Sequence, residues 1–176
     1  MCSVNRFKRT FFYLIVQYSI DKEFLLEYNF SIPKTIKEAF SMLNACAELF
    51  TNKLQAQNLN FRSGTDKDGD SVVEFPYQGK IAKMFFCGSE GGYFSIYVVY
   101  ERVPEEKLAD VIFLCNELNA QYKWITFYVD KDGDVVLHDD AILSVDSAAD
   151  EAFELLIRML KIGDEVKPTI MKAIYA

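Results

Sequence analysis

The sequence contains few of the residues from which catalytic and metal centres are usually built. It has one histidine and four cysteines in 176 residues, and no two cysteines form a CxxC pair. Zinc ligation and dithiol redox chemistry need such closely spaced ligands, so neither is predicted. Cys46 and Cys115 fall on apolar stripes of predicted helices, where reduced cysteine serves as a small hydrophobe. This use of cysteine indicates a reducing, cytoplasmic compartment.

Basic residues are also scarce. The formal net charge is −7, and no cluster of Lys and Arg follows the first ten residues. A nucleic-acid surface needs a concentrated positive field, so nucleic acid is not expected as a partner. Apolar residues make up 51% of the chain, including 15 Phe and 10 Tyr. The composition therefore predicts one folded domain with a substantial core.

Residues 1–31 are expected to form an N-terminal extension outside the main domain of residues 32–176. Three basic residues precede about ten mostly apolar ones, as in a signal peptide, but no small-x-small cleavage site follows. The apolar run is too short to span a bilayer as a helix. Three interpretations stay open: a mistaken upstream start codon, an extra ordered strand or helix, and a membrane-directed segment in which residues 6–20 act as an anchor.

The remaining sequence alternates between helical and strand-like periodicity. Helices are predicted at residues 35–57, from Pro104 onward and from Ser147 onward, and strands at residues 59–65, 72–77, 81–87, 93–101, 124–129 and 135–138. The order α-ββββ-α-ββ-α predicts an α+β domain whose helices pack on an antiparallel sheet of five to six strands.

Several local features of these helices are also predicted. Thr35 and Ser147 each begin a sequence of capping-box form. Ile112 is assigned to the buried stripe of the second helix. Gly163 is expected to end or bend the third helix, with Pro168 opening a final helical piece to about Tyr175.

The five residues DKDGD occur twice, at residues 66–70 and 130–134. They resemble the start of an EF-hand calcium loop, which needs Gly at position 6 and Glu at position 12. Counting from Asp66 puts Ser71 and Tyr77 at those positions, and the copy that begins at Asp130 fails in the same two places. The flanking residues are strand-like rather than helical. We therefore interpret both copies as hairpin turns.

Strand register distinguishes two types of turn. A three-residue loop closed by Gly69 in a left-handed conformation sets Arg62 opposite Glu74 and Phe61 opposite Phe75, whereas a two-residue loop sets Arg62 opposite Phe75. The second copy behaves in the same way, because only the three-residue loop sets Phe127 opposite Leu137. The predicted turn residues are Asp66, Asp68, Gly69, Asp130, Asp132 and Gly133, with positive φ at both glycines.

Other residues that could carry chemistry lack the partners that such chemistry requires. His138 ends a strand beside Asp139 and Asp140, but no nucleophile for it is identifiable in the sequence. The glycine-rich stretch of residues 88–92 lies between two strands and lacks the Lys-Ser/Thr of a phosphate-binding loop. Neither Cys87 nor Cys115 has an assignable histidine partner. No catalytic residue, cofactor or metal site is predicted.

Four aromatic residues are the candidate partner-binding site. Strand alternation puts Tyr93 and Tyr97 on one face, and likewise Trp124 and Tyr128. If no helix covers these faces, they form an aromatic patch suited to binding a peptide or another subunit. The alternative is that the four residues are buried under a helix.

From about residue 36 to its end, the chain resembles the YbjN domain family of bacteria. The resemblance rests on residues 103–108 (VPEEKL), which lead into residues 114–119 (LCNELN), and then on residues 127–130 (FYVD) and 132–136 (DGDVV) before a long closing helix. It implies a fold similar to type III secretion chaperones, often dimeric, and a role in sensory transduction or stress regulation. It implies no catalytic residues.

The function expected from the sequence is therefore a non-enzymatic, cytoplasmic protein-interaction module of chaperone-like or regulatory type. Its expected partners are an unidentified protein and a second copy of the chain. The alternative is a small-molecule sensor with a pocket between helices and sheet, which a closed apolar pocket lined by Phe and Tyr would favour.

Overall fold

The computed structural model describes residues 42–176. These residues contain three α-helices and six strands in the predicted order. The helices are α1 (Ala45–Ala56), α2 (Leu108–Gln121) and α3 (Ala148–Tyr175), with a 3-10 turn at Glu105–Lys107. The strands are β1 (Arg62–Thr65), β2 (Ser71–Tyr77), β3 (Lys80–Cys87), β4 (Tyr93–Arg102), β5 (Thr126–Val129) and β6 (Asp134–Ile142). The predicted α+β class is confirmed, whereas the extension of residues 1–31 and the Thr35 capping box lie outside the described residues.

The six strands form one antiparallel sheet in the order β1-β2-β3-β4-β6-β5. Alternate residues of each strand point to the helices, and in the central strands β3 and β4 the buried inward residues are apolar. The core contains Phe50 and Leu54 from α1, Met84 and Phe86 from β3, Phe94, Ile96 and Val98 from β4, Leu137 from β6, and Leu156, Met159 and Ile170 from α3. All of the helical core residues belong to one side of the sheet, so the core is a single layer between sheet and helices.

Both DKDGD hairpins have the register predicted for a three-residue loop. Arg62 pairs with Glu74 and Phe127 with Leu137, although Phe61 lies before β1 begins. Gly69 and Gly133 have φ of +88° and +83°, and Asp132 has no positive φ, which excludes a type I′ turn. In each copy the first aspartate accepts backbone hydrogen bonds from the third and fifth residues, at 2.9–3.0 Å. These carboxylates therefore stabilise the turns themselves.

Within the described residues, the helix predicted at residues 35–57 is helical only from Ala45 onward. Residues 42–44 are not helical, and Asn44 is the N-cap of α1, where its side-chain oxygen accepts a hydrogen bond from Ala47 N at 3.1 Å. The same side chain donates to the Phe86 carbonyl at 2.6 Å, and the Asn44 backbone N–H donates to Ser71. Asn44 thus fixes the start of the helix and its position on the sheet at once, which periodicity alone could not predict.

The last helix is continuous, so the predicted break at Gly163 and new start at Pro168 are wrong. A Cβ at Gly163 would lie 3.3 Å from Tyr100 Cζ and closer still to its hydroxyl oxygen. Gly163 therefore permits close packing of α3 on the sheet and does not end the helix. Pro168 costs one intrahelical hydrogen bond, which burial of Val166 and Ile170 on either side offsets.

Two further helix predictions are wrong. Ser147 precedes α3 but makes no side-chain cap, since its hydroxyl oxygen lies 2.7 Å from that of Ser144. Ile112 is 55% exposed and Phe113 beside it is exposed too, whereas Val111, Cys115 and Leu118 are buried. Only one side of α2 packs on the domain. Ile112 lies just outside the narrow stripe of α2 residues that the domain buries.

Candidate functional site

One face of the sheet is left uncovered by the helices of the described region. On β4, Phe94, Ile96 and Val98 point into the core, and the residues between them point to the opposite face. We call that surface the open sheet face. It is defined by Val72, Glu74 and Pro76 of β2, Ile81, Lys83, Phe85 and Cys87 of β3, Tyr93, Ser95, Tyr97 and Val99 of β4, Val136, His138, Asp140 and Ile142 of β6, and Thr126 and Tyr128 of β5.

A shallow apolar depression of about 610 Å³ occupies one end of the open sheet face. Its lining is Ile81, Phe85, Tyr97, Val99 and Val136, with Glu74, Gly79, Lys80 and Lys83 around them. Ile81 and Val99 are 51% and 49% exposed. Large apolar side chains half exposed in the middle of a sheet are unusual for a surface that contacts only water, so this depression is a candidate contact surface.

A polar cluster occupies the centre of the same face. Ser95, only 4% exposed, lies 3.2 Å from His138 Nε2 and hydrogen-bonds to Asp140. His138 Nε2 lies 3.0 Å from Asp140 Oδ1, and the imidazole stacks on the Tyr97 ring at 4.4 Å between centroids. Tyr128 packs edge-on against the same imidazole. The cluster holds these rings in fixed positions on an otherwise open surface.

This cluster brings together a serine, a histidine and an aspartate, but not in the arrangement of a hydrolytic triad. In a triad the aspartate binds the histidine nitrogen opposite to the one that faces the serine. Here Ser95 and Asp140 both contact Nε2 of His138, and they also contact each other. The Ser95 hydroxyl donates its proton to a hydrogen bond with Asp140 and not to the imidazole, so the three side chains anchor one another.

The ionisation of Asp140 reflects its partners. Partial burial acts to raise the pKa of this carboxyl, but hydrogen bonds from Ser95 and His138 outweigh burial and hold it below its ordinary value. Asp140 therefore stays ionised at neutral pH, and its interactions stabilise the folded state fully above the pKa that this carboxyl has in the unfolded chain. This contribution to folding stability is lost as pH falls through the lower pKa of Asp140 in the folded state.

The structure places three of the four predicted aromatic residues on the open sheet face. Tyr93 and Tyr97 share that face on β4, and Tyr128 lies across from them on β5. Trp124 does not share the face of Tyr128, so that prediction is wrong. It precedes β5, and its ring packs 4.5 Å from the guanidinium carbon of Arg158 on α3, on the helix side of the sheet.

Ser95 is a residue of the candidate site that the sequence analysis missed. The information was available, because alternation puts Ser95 between Tyr93 and Tyr97 on one face, and a small polar residue interrupts an otherwise apolar strand. Its pairing with Asp140 required the β4–β6 register, which the sequence does not give. The same alternation separates Asp140 from Asp139, whose carboxyl lies on the helix side near Arg158.

The glycine-rich loop of residues 88–92 joins β3 to β4 and holds neighbouring elements in place. Its Glu90 carbonyl accepts a hydrogen bond from Cys46 N at 3.0 Å, and its Gly92 carbonyl accepts one from Leu143 N at 2.7 Å. The loop thus anchors the start of α1 and the end of β6 to the sheet.

Cys87 stands at the end of the open sheet face, where its environment suppresses reactivity. Burial, a hydrogen bond to Asp70 and the nearby carboxylates raise the pKa of this thiol to about 11. Because only the thiolate is nucleophilic, alkylation of Cys87 by iodoacetamide should be slow at pH 7.5 and rise about tenfold per pH unit towards pH 11.

Mass spectrometry of the Cys87 peptide measures this rate, with an unstructured cysteine peptide as the reference. Asp70→Asn should shift the midpoint to lower pH, since it removes a carboxylate that the thiol faces. A rate that already levels off near pH 8.5 in the native protein would refute the assignment.

No group of three or more His, Cys, Asp or Glu side chains within residues 42–176 is placed to hold a metal ion. No helix in the same range is long and apolar enough to cross a bilayer.

Comparison with known proteins identifies a family. The YbjN family model, described as "Putative bacterial sensory transduction regulator", matches residues 47–165. No curated protein matches the chain significantly.

Two solved structures are similar to part of the chain. One comes from the heterodimeric ExoU–SpcU complex of the type III secretion system of Pseudomonas aeruginosa, with a TM-score of 0.47 and 19% identity over 70% of this chain and 96% of that one. The other comes from the Yersinia pestis type III secretion chaperone SycH in complex with a fragment of YscM2, with a TM-score of 0.40 and 13% identity over 66% and 98%.

Proposed function

This chain belongs to the YbjN family, and we propose that it is a non-enzymatic protein-interaction module, chaperone-like or regulatory, that works in the cytoplasm. The observation that carries the proposal is the open sheet face, where Ile81 and Val99 are half exposed beside a fixed array of aromatic rings. Burying such side chains against a partner is favourable by about 25 cal/mol per Å² of apolar surface. The rigid rings of Tyr97 and His138 lose little conformational freedom on binding, which favours affinity.

The polar cluster supports binding rather than catalysis. Ser95 is almost completely buried and already paired with His138 and Asp140, so its hydroxyl is not available to attack a substrate. The neighbouring rings and apolar side chains form a continuous surface of the kind that protein interfaces use at their centres.

The alternative function, a small-molecule sensor, has less support. The cavity between α3 and the sheet, which Tyr100 and Met159 line together, has a volume of about 20 Å³. That is room for one water molecule, whereas ligand pockets enclose about 300–1,000 Å³.

The proposal predicts that partner capture depends on the open sheet face. The double variant Ile81→Thr/Val99→Thr keeps β-branched residues at both positions but removes apolar contact area. Proteins captured from the native cell by the wild-type chain should be recovered at least tenfold less by this variant, as quantified by mass spectrometry.

Trp124→Thr is the matched control, because it removes an exposed apolar side chain from outside the open sheet face. Its capture should equal that of the wild type, and thermal unfolding of both variants checks that they are folded. Equal capture by the double variant, or loss only in the Trp124 variant, would refute the proposal.

We further propose that the protein forms a homodimer. Ile112 and Phe113 are adjacent, exposed and apolar on the outer side of α2, away from the open sheet face. Pairing of this surface between two copies would bury them while leaving the open sheet face accessible. Light scattering should give twice the 20.3 kDa of one chain, and Phe113→Lys should return the mass to that of a monomer.

A further inference from the structure

The two ends of the open sheet face differ in charge. At the depression, Arg62, Glu74 and Lys83 stand side by side across three strands, and Lys83 Nζ lies 3.8 Å from a Glu74 carboxylate oxygen. Charges of both signs therefore alternate there and largely compensate each other. Apolar side chains therefore form most of the surface that a partner would contact at this end.

The opposite end is acidic. Asp66, Asp70 and Asp140 lie close enough to Cys87 that all three act electrostatically on its thiol. Backbone hydrogen bonds fix two of these carboxylates, since Asp66 Oδ1 accepts from the turn and Asp70 Oδ1 accepts from Gly88 N at 3.0 Å. Their charge is thus held in place at the surface.

Tyr93 lies in the middle of this acidic end. Its ring is 47% exposed, it pairs across strands with Cys87 and Ile142, and its hydroxyl hydrogen-bonds to Asp140. An exposed aromatic ring beside fixed carboxylates is suited to a lysine or arginine side chain, which the ring attracts through its face and the carboxylates through hydrogen bonds.

The distance between the two ends of the open sheet face sets the length of a segment that can contact both. Val99 at the depression and Tyr93 at the acidic end are six residues apart on β4, a distance of about 20 Å at 3.3–3.4 Å per residue. A segment that reaches both ends needs about six residues in extended form or about thirteen as a helix.

We propose that the open sheet face docks a basic, amphipathic segment of another protein, with an apolar side chain in the depression and a lysine or arginine at Tyr93 and Asp140. This inference rests on the proposed interaction function and specifies the chemistry of the partner. The net charge of −7 on the chain favours the same partner, because long-range attraction speeds the encounter with a basic segment.

The test is a selection of random 16-residue peptides displayed on phage against the full chain, a length that covers both the extended and the helical case. Enriched peptides should be positively charged and contain aromatic or aliphatic residues. For a synthetic peptide from that set, replacing its Lys and Arg by Gln should raise Kd at least tenfold, and 500 mM NaCl should weaken binding relative to 50 mM.

The outcomes separate this inference from the proposed function. Suppose that the enriched peptides are acidic or neutral and fail to bind Ile81→Thr/Val99→Thr. The inference of a basic partner would then be wrong, whereas the proposed interaction function would be supported. Basic peptides that bind this variant as well as the wild type would overturn both. No enrichment over a bare surface would overturn the inference, while the capture experiment tests the function independently.

Two single residues report the position of the bound peptide. His138 is the only histidine and lies at the centre of the open sheet face, so its imidazole proton resonances should shift when peptide is added. Trp124 is the only tryptophan and packs on the helix side, so its fluorescence should stay constant. The reverse pattern would place the peptide elsewhere and overturn the inference.

Discussion

Gly91→Ala should lower the free energy of unfolding by about 1.5–4 kcal/mol. Gly91 has φ of +79°, a conformation that costs an L-residue about 1–2 kcal/mol. The added Cβ would also lie 2.8 Å from Asn44 Nδ2 and closer still to Oδ1. Because Asn44 is held by hydrogen bonds to α1 and β3, it has to give up its cap to move away, which costs about 0.5–2 kcal/mol more. Urea denaturation followed by circular dichroism measures the loss.

Gly69→Ala is the control for backbone strain alone. Gly69 has a similar φ of +88°, but a Cβ there would meet no atom within 4 Å. This variant should lose only about 1–2 kcal/mol. Equal destabilisation of both glycine variants would show that the added Cβ at Gly91 does not displace the Asn44 cap.

Asn119→Ala should lower the free energy of unfolding by about 1–3 kcal/mol. Among the strands of residues 42–176, β5 lies at the edge of the sheet, and the outward backbone groups of Phe127 face no neighbouring strand of that region. The Asn119 side chain provides hydrogen-bond partners for both groups. Its Nδ2 donates to the Phe127 carbonyl at 2.9 Å, and its Oδ1 accepts from Phe127 N at 2.7 Å. Alanine leaves both groups without these bonds next to the buried Phe127 ring, and unsatisfied backbone groups are costly.

The matched control is Asn116→Ala, three residues earlier on the exposed side of the same helix. It should change stability by less than about 0.5 kcal/mol, as surface substitutions usually do. Hydrogen exchange at Phe127 N should become faster in the Asn119 variant alone. Equal stability of the two variants would mean that water replaces the asparagine at no cost.

The sheet was the most predictable part of the fold. Opposed residues share a face, so the sequences around both DKDGD turns were enough to choose the three-residue loop and the pairing of Arg62 with Glu74. That inference used only contacts close in sequence. The helix ends were less predictable because they depend on contacts between residues distant in sequence. Asn44, which caps α1, hydrogen-bonds to Phe86, and Gly163 of α3 packs closely on Tyr100.

Part of the candidate site could also be predicted from the alternation of side chains along a strand. Alternation along β4 was enough to place Tyr93 and Tyr97 on one face, but it did not show whether a helix covers that face. Trp124 was misplaced because β5 begins two residues after it, where alternation starts to apply. The meeting of Ser95 with Asp140 depends on the β4–β6 pairing across 45 residues, which the sequence pattern does not specify.

The central claim, that the open sheet face is the surface that binds another protein, is tested most directly by photocrosslinking in the native cell. A photoreactive phenylalanine analogue would replace Val99 on that face, or Trp124 on the helix side as the control. We expect a discrete adduct with a second protein from position 99 and none from position 124. Adducts from position 124 with none from position 99 would contradict it.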